Sequence, residues 1–433
     1  MRLNWLSPLP PDPPEFSDYI RHVLPELARQ AEVTVWSIRD VWDPQLEQLA
    51  RVRHVAGDFW SELNQADMSV FHLGDNAEYY GAIWDISRQQ PGVVVLHDLS
   101  LPELFAKVYV EYGRDAEGYL QILERFYGDE GRRAAQEWVA GRRRVEDMAR
   151  FPLTEYATER ALAVVTHSRE GMSRLRGHGR GKVFRAELPY AARRHVGTEP
   201  SISGQGDSLR LIEFGPPWVN RRLEPLLEVL SGVRSRDRFR LDVYGELRQR
   251  DSLERYCATR GLESRVRFHG SVPEEELDRA LERTDLVVNL RYPTRGEASL
   301  DQLRIWEHAL PSLVFRAGWY AELDEAAVWF VRPEQEVDDI QRALSAWDEN
   351  PHGFVKMGRN GRRILAEDHS PALYVQRLVG IAAEAIGFQA PAAVTELAER
   401  AESELKSWPH AEARELTAKS VARALEELLG KPG

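Results

Sequence analysis

A glutamate and a serine lie near each other between two predicted strands, in a pattern suited to binding an anionic ligand. Residues 286–290 form an apolar run with the length and Val/Leu content of a buried parallel strand, and 313–315 predict the next strand. The loop between them contains Gly296 and Glu297, and Ser299 stands where a helix N-cap is expected. In such a β-α-β unit the helix N-terminus lies at the carboxyl edge of the sheet, where free N–H groups and the helix dipole favour a phosphate.

Other polar residues follow predicted strands and would reach a sheet edge of the same kind. His97 and Asp98 end the apolar run 92–96, and Gly245 follows the strand predicted at 239–244. Ligands of open α/β sheets bind beyond the carboxyl ends of the strands. The sequence therefore predicts a site built from loops that are far apart along the chain.

Alternating strand and helix patterns divide the chain into two α/β domains joined by a Gly- and Pro-rich linker. The first domain contains a long helical stretch with regularly spaced aromatic residues, which we interpret as an insertion. A helix after the second domain is expected to return to the first, and a tail of two amphipathic helices ends the chain. The predicted bounds are 1–197 for the first domain with its insertion at about 101–160, 198–208 for the linker, 209–370 for the second domain, 371–388 for the returning helix and 389–433 for the tail.

Composition limits the class of protein and its compartment. With 433 residues, 43% hydrophobic and 29% charged, the chain is long enough for two domains and too apolar to be disordered. No apolar run approaches the ~20 residues of a membrane span, and residues 1–11 lack a signal-peptide core. One cysteine, Cys257, excludes an internal disulfide and fits a reducing compartment. We therefore expect a cytoplasmic protein.

The charge is acidic overall but uneven. A net charge of −12 argues against nucleic-acid binding, whereas residues 131–194 contain 15 Arg and Lys against seven Asp and Glu. Helical spacing would place Arg132, Arg143 and Arg150 on one face. That face is either a solvated helix surface or a peripheral contact with anionic lipid at the inner membrane. Both interpretations stay open, as does the oligomeric state.

Two stretches around the first loop give a family resemblance. Residues 293–299 read PTRGEAS and residues 318–323, after the next strand, read GWYAEL. Together with FHLGDN at 71–76, this wording resembles the family-4 glycosyltransferases, which are retaining, nucleotide-sugar-dependent enzymes of the GT-B fold. Relatives carry two glutamates eight positions apart; Gly296 and Arg304 stand at those places, and the glutamate comes one residue late, as in a subset with a Gly-Glu-x-Ser loop.

The resemblance implies a fold, an activity and roles for the candidate residues. The fold would be GT-B, with two Rossmann-like domains facing a cleft. The activity would be transfer of a sugar from a nucleotide-sugar to a glycan, lipid-linked or other hydroxyl acceptor with retention, in bacterial glycan or envelope polysaccharide biosynthesis. The family needs no metal and no cofactor.

Residue by residue, the resemblance assigns both sides of the cleft. Glu297 would hold a sugar hydroxyl and His97 would orient the sugar or the acceptor, with Asp98 and Tyr19 in that neighbourhood. The remaining candidates would bind the donor, and the basic pair among them would meet its diphosphate; they are Arg221, Arg222, Gly215, Gly245, Gly296, Ser299 and Arg304.

Two other functions stay open from the sequence. A GT-B nucleotide-sugar epimerase would use the same pocket without an acceptor. A catalytically inactive binding protein derived from a glycosyltransferase is suggested by Arg304, Leu310 and the Pro13-Pro14 pair, which replaces a glycine loop of the family. A nucleotide-sugar binding and hydrolysis screen separates the three functions.

Overall fold

The structure is a computed structural model that describes residues 1–142, 145–177, 181–193, 208–215, 221–232, 238–408 and 411–429. Its strands form two parallel sheets, each flanked by helices. The first sheet has the order β3-β2-β1-β4-β5-β6-β7 and the second β10-β9-β8-β11-β12-β13. The predicted α/β class with two Rossmann-like sheets is confirmed.

The N-terminal domain holds the first sheet. Its strands are β1 (Arg2–Leu6), β2 (Glu32–Ser37), β3 (Arg51–His54), β4 (Met68–Leu73), β5 (Val93–Leu96), β6 (Ala163–Thr166) and β7 (Lys182–Arg185). Its helices are α1 (Pro14–Gln30), α2 (Trp60–Leu63), α3 (Ala77–Gln89), α4 (Pro102–Ala106), α5 (Ala116–Val139), α6 (Val145–Arg150), α7 (Thr154–Ala157) and α8 (Arg169–Leu175). A 3₁₀ turn, Pro44–Gln48, and a π-helical segment, Lys107–Tyr112, complete it.

The second domain and the C-terminal helices follow. The strands are β8 (Leu209–Glu213), β9 (Phe239–Tyr244), β10 (Val266–Gly270), β11 (Leu286–Asn289), β12 (Ser312–Phe315) and β13 (Trp329–Val331). The helices are α9 (Leu223–Gly232), α10 (Arg250–Arg260), α11 (Glu274–Leu281), α12 (Leu300–Glu307), α13 (Glu336–Glu349), α14 (Pro351–Asp368), α15 (Pro371–Lys406) and α16 (Ala411–Leu429). Two 3₁₀ turns, Gly318–Glu322 and Pro333–Gln335, lie between β12 and α13.

Strand register brings the candidate residues of the first domain to one edge. Leu73 of β4 pairs with Leu96 of β5, which pairs with Thr166 of β6. The residues that follow these partners, including His97 and His167, therefore leave the sheet at the same level. Burial of the strand residues on both faces explains why these strands read as continuous apolar runs.

Two edge strands were absent from the sequence prediction. β3 reads RVRH and β7 reads KVFR, and both lie at the ends of the first sheet. Alternating charged and apolar residues are common in edge strands, which have one side exposed. Such short, charged segments give no apolar run that a sequence pattern can detect.

The last long helix differs from its predicted bounds. α15 returns to the N-terminal domain, where Tyr374, Leu378 and Ile381 are buried, but it then continues through Pro391 to Lys406. The sequence prediction ended a helix near that proline, because proline removes a backbone donor. The predicted tail is thus the second half of α15 followed by α16, which packs against it.

One described helical stretch, Pro351–Lys406, is long and apolar enough to cross a membrane by length and composition alone. Its most apolar 18-residue window has a mean hydropathy of 1.4, and 22% of that window is buried. The sequence interpretation did not anticipate this stretch. The buried residues of α15 pack on the first sheet as those of a core helix do.

Candidate functional site

The loop between β11 and α12 is here called the donor loop (residues 293–299). Two of its own residues donate hydrogen bonds to its glutamate, Glu297. The Glu297 carboxylate accepts hydrogen bonds from Arg295 N at 2.6 Å and from Thr294 Oγ1 at 2.7 Å. Gly296 has a φ of +81°, a conformation that favours glycine. Ser299 caps α12 by accepting from Gln302 N at 3.1 Å, as predicted. The loop therefore presents Glu297 beside the helix N-terminus.

A buried arginine that the sequence analysis missed lies under this loop. Arg291 is 5% exposed and donates through Nη2 to Asp301 at 2.9 Å and to the Phe214 carbonyl at 3.0 Å. A side chain on Gly215 would collide with its guanidinium, which explains the glycine there. Arg291 thus carries positive charge between the ends of β8 and β11 and the first turn of α12. Its place directly after the apolar run of β11 was the available signal.

Arg221 does not present an unpaired cation to a diphosphate. It is 3% exposed, forms a two-contact ion pair with Glu213, and donates to the Tyr244 carbonyl at 2.7 Å. Gly245, with a φ of +89°, packs against the Gly215 carbonyl, which also accepts from Arg221 at 3.1 Å. The guanidinium links the ends of β8 and β9. The sequence analysis instead expected Arg221 to bind a phosphate directly.

The other two arginines proposed as donor ligands also have protein partners. Arg222 pairs with Glu336 at 2.6 Å. Arg304 pairs with Asp278 at 2.7 Å and donates to the Glu274 carbonyl at 3.1 Å. Because Arg304 lies in the last turn of α12 and faces α11, its side chain is directed away from the donor loop. The structure therefore gives Arg304 a packing role in place of the expected donor contact.

The opposite wall of the cleft contains a neutral histidine. His97 Nε2 lies 3.0 Å from Nδ1 of the fully buried His72, so one ring donates to the other. Burial, helped by the nearby His167, lowers the pKa of His97 to about 3. At neutral pH His97 is an uncharged imidazole, which suits a hydrogen bond with a sugar or acceptor hydroxyl.

Tyr19 lies behind His97, away from the cleft surface. Its ring centroid is 4.8 Å from that of His97 and 5.1 Å from that of His72, and the side chain is 5% exposed. Tyr19 therefore packs against the histidine pair and supports it, where the sequence analysis expected a sugar or acceptor contact.

The donor loop crosses the cleft and contacts the N-terminal domain. Leu99 N donates to the Arg295 carbonyl at 2.8 Å, and Arg295 Nη1 lies 3.6 Å from the buried Asp75 carboxylate. Asp98 accepts from Asp75 N at 2.7 Å and lies in the field of Arg295 and Glu297. The structure thus brings Glu297 and Asp98 from two domains close enough to interact electrostatically, and His97 directly precedes Asp98 in the chain.

Asp98 makes the stability of the protein depend on pH. Burial, together with the nearby Glu297 and Glu103, raises the pKa of Asp98 from 3.8 to about 6 although Arg295 opposes the shift. Between these values the folded protein binds more protons than the unfolded chain, so the wild type loses stability as pH rises. As the pH rises from 4 to 7, the stability of Asp98→Asn relative to the wild type should therefore increase by up to about 3 kcal/mol.

Denaturant titration of both proteins at pH 4 and pH 7 measures this gain. Asp75 also titrates in this cluster, with a pKa that burial raises, and it is present in both proteins. A stability difference that stays constant with pH would contradict the assignment.

Several arginines of the helical insertion are paired with carboxylates. Arg132 pairs with Glu117 and Glu124 at 2.9 and 2.8 Å, Arg142 with Glu137 at 2.7 Å, and Arg150 with Glu130 at 2.6 Å. Arg143 and Arg144 lie outside the described residues. These pairs favour the solvated helix surface over an unpaired cationic face for lipid.

In the described ranges, no group of three or more His, Cys, Asp or Glu side chains is arranged to hold a metal ion.

Comparisons with known proteins agree with this architecture. Residues 210–349 match the family model described as glycosyl transferases group 1. No curated protein matches the chain. Among solved structures, Anabaena HepE in complex with UDP has a TM-score of 0.61 at 15% identity and covers 88% of this chain and 99% of its own.

Two further solved structures have the same overall likeness. The sucrose-phosphate synthase of Thermosynechococcus elongatus has a TM-score of 0.59 at 14% identity, covering 88% of this chain and 98% of its own. WaaG, a glycosyltransferase involved in lipopolysaccharide biosynthesis, has a TM-score of 0.56 at 15% identity, covering 88% and 99%. The chain therefore has the fold of the GT-B glycosyltransferases, and its second domain matches the group 1 glycosyl transferases.

Proposed function

We propose that this protein transfers a sugar from a nucleotide-sugar to an acceptor hydroxyl with retention of configuration, and that it does so without a metal ion. The observation that carries the proposal is the approach of Glu297, next to the α12 N-terminus, to Asp98 of the N-terminal domain, whose chain neighbour is His97. HepE, which shares the fold, was solved with UDP and with UDP-glucose.

The donor side of the site supplies groups that stabilise the negative charge of a leaving diphosphate. The first N–H groups of α12 follow the donor loop, where the helix dipole favours an anion, and Arg291 donates to Asp301 in the same first turn. Fixed dipoles and a buried cation stabilise charge that develops on phosphate oxygens as the glycosidic bond breaks. Arg291, like Arg221 and Arg222, is already paired with a carboxylate, so we assign it a contribution to the local field and assign the direct phosphate contacts to the first N–H groups of α12.

The acceptor side of the site supplies hydrogen-bonding groups that orient the sugar and the acceptor. A neutral His97 can accept a hydrogen bond from a hydroxyl or donate one, and the Glu297 carboxylate can accept a hydrogen bond from a sugar hydroxyl. No side chain is assigned as a nucleophile. Retention then requires the acceptor oxygen to form its bond to the anomeric carbon on the face that the diphosphate leaves, with the acceptor proton passing to the departing phosphate oxygen.

The pathway and location are part of the proposal. WaaG acts in lipopolysaccharide biosynthesis, which supports a role in bacterial glycan or envelope polysaccharide synthesis. A cytoplasmic location fits the nucleotide-sugar donor and the single cysteine, Cys257, which is buried on α10. The acceptor class is a hydroxyl-bearing glycan or lipid-linked glycan.

A screen of nucleotide-sugars by thermal shift, with hydrolysis and acceptor transfer measured alongside, tests the function. Binding at 100 times Kd stabilises a protein by about 2.7 kcal/mol, so a true donor should raise the melting temperature by a few degrees. Hydrolysis or transfer of the same compound supports the enzyme. Isomerised free nucleotide-sugar would indicate the epimerase, and binding with no turnover would indicate the inactive binding protein.

A further inference from the structure

Arg295 connects the donor loop to the N-terminal domain through two groups and contacts Glu297 within the loop through a third. Its N–H donates to the Glu297 carboxylate at 2.6 Å, and its carbonyl accepts from Leu99 N at 2.8 Å. Its guanidinium enters a group of carboxylates on the N-terminal domain. One residue therefore joins the proposed sugar-binding glutamate to the opposite wall of the cleft.

The receiving carboxylates form an acid pocket, here defined as Asp75, Asp98 and Glu103. Arg295 lies 3.6 Å from Asp75 and 3.7 Å from Glu103, and the Asp75 side chain is fully buried. Asp75 is fixed in turn, since Leu104 N donates to it at 2.9 Å and its own N–H donates to Asp98 at 2.7 Å. The Arg295 guanidinium opposes the rise that burial causes in the pKa of Asp75 and of Asp98, so it stabilises the charged form of both acids.

The loop itself fits closely against the same wall. Gly296 adopts its left-handed conformation where a Cβ would lie 2.8 Å from the Leu99 side chain. A residue larger than glycine at position 296 would therefore collide with the N-terminal domain at the present spacing.

A second contact between the two domains has the reverse arrangement of charge, because here the second domain contributes a carboxylate. Glu322, which follows β12 in the second domain, accepts from Arg169 N and Glu170 N at 2.8 Å each. These are the first residues of α8 in the N-terminal domain. A cation in an acid pocket and a carboxylate on backbone N–H groups thus hold the two domains together on the edges that carry the site.

We infer that Arg295 and Asp75 are an inter-domain positioning pair, which sets the Glu297 loop in its working geometry only when the two domains are closed. This inference rests on the proposed function and adds to it the residues that link domain closure to assembly of the donor-sugar site. Neither residue needs to touch the sugar. Each acts through the position that it gives to Glu297.

The pair predicts separate effects on turnover and on nucleotide binding. Arg295→Gln and Asp75→Asn should each lower kcat by on the order of 10- to 100-fold, because a displacement of about 1 Å at the reacting centre has effects of this size. Nucleoside diphosphate affinity should stay within about twofold, because Arg291 and the α12 N-terminus are unchanged. The double variant should be no slower than the slower single variant, as expected for residues that act as a pair.

Two further variants separate positioning from folding. Arg295→Lys keeps the cation and should recover part of the lost kcat. Arg316→Gln is a matched control in the second domain, since Arg316 is about half exposed and its described ion pair is with Glu325 of the same domain; it should behave as the wild type. Circular dichroism and thermal melting confirm that each variant is folded.

Small-angle X-ray scattering of the ligand-free proteins provides a readout that needs no turnover. Arg295→Gln and Asp75→Asn should increase the radius of gyration, because the domains lose a contact that holds them closed, whereas Arg316→Gln should not. An unchanged radius with wild-type kcat, or a diphosphate affinity that falls as far as kcat, would overturn the inference. If the wild type binds and turns over no nucleotide-sugar, the proposed function fails, and the scattering result alone then decides whether the pair closes the cleft.

Discussion

Glu297→Gln should slow sugar transfer by roughly 10- to 100-fold and leave the affinity for nucleoside diphosphate nearly unchanged. A hydrogen bond from a sugar hydroxyl to a carboxylate contributes about 1.5–3 kcal/mol, and the amide loses most of the charge-assisted part. The product diphosphate lacks the sugar, so its binding does not use Glu297. Steady-state kinetics with the identified donor and calorimetry with the diphosphate measure the two quantities.

Glu297 also accepts hydrogen bonds within the donor loop, and Glu297→Gln must preserve them for the test to report on the sugar alone. Glu297 Oε2 accepts from both Arg295 N and Thr294 Oγ1, so the glutamine must place its carbonyl oxygen, and not its amide nitrogen, at this position. Equal losses in transfer and in diphosphate affinity would mean that Glu297 holds the loop or the ribose. Glu325→Gln is the matched control, because Glu325 is 73% exposed on the same domain and pairs only with Arg316 among its described ion pairs.

The features that sequence predicted best are those encoded by neighbouring residues. The strand predicted at 286–290 is β11 (Leu286–Asn289), and Ser299 caps α12 as expected. A buried parallel strand needs a continuous apolar run, and an N-cap needs a short side chain with an oxygen acceptor. Both requirements are met within a few residues, so the order of the donor-domain elements could be read without the fold.

The partners of the charged residues could not be predicted in the same way. Asp75 and Arg295 are distant in sequence, and their pairing depends on how two separate domains face each other. Arg221 was assigned to a diphosphate from the family resemblance and its loop position, whereas its partner Glu213 is 3% exposed. A glutamate within the apolar strand LRLIE was a local signal, because a buried carboxylate requires a cation or donors nearby.

That glutamate makes Arg221 the arginine whose loss should most affect stability. Arg221→Met would leave the buried Glu213 carboxylate without its guanidinium, and breaking a buried pair in this way costs about 3–5 kcal/mol. The Tyr244 and Gly215 carbonyls would lose their donor as well. Denaturant unfolding of the variant, followed by tryptophan fluorescence, should show a markedly lower midpoint than the wild type.

Two further variants test whether the loss of stability comes from the buried ion pair. Arg222→Met removes a pair with Glu336 in which the arginine side chain is 39% exposed, so it should change stability by no more than about 1 kcal/mol. Glu213→Gln combined with Arg221→Met removes the buried charge together with its partner and should recover part of the lost stability. If Arg221→Met is instead as stable as the wild type but binds nucleoside diphosphate at least tenfold more weakly, Arg221 is a direct phosphate ligand. Its ion pair with Glu213 would then have to open when the donor binds.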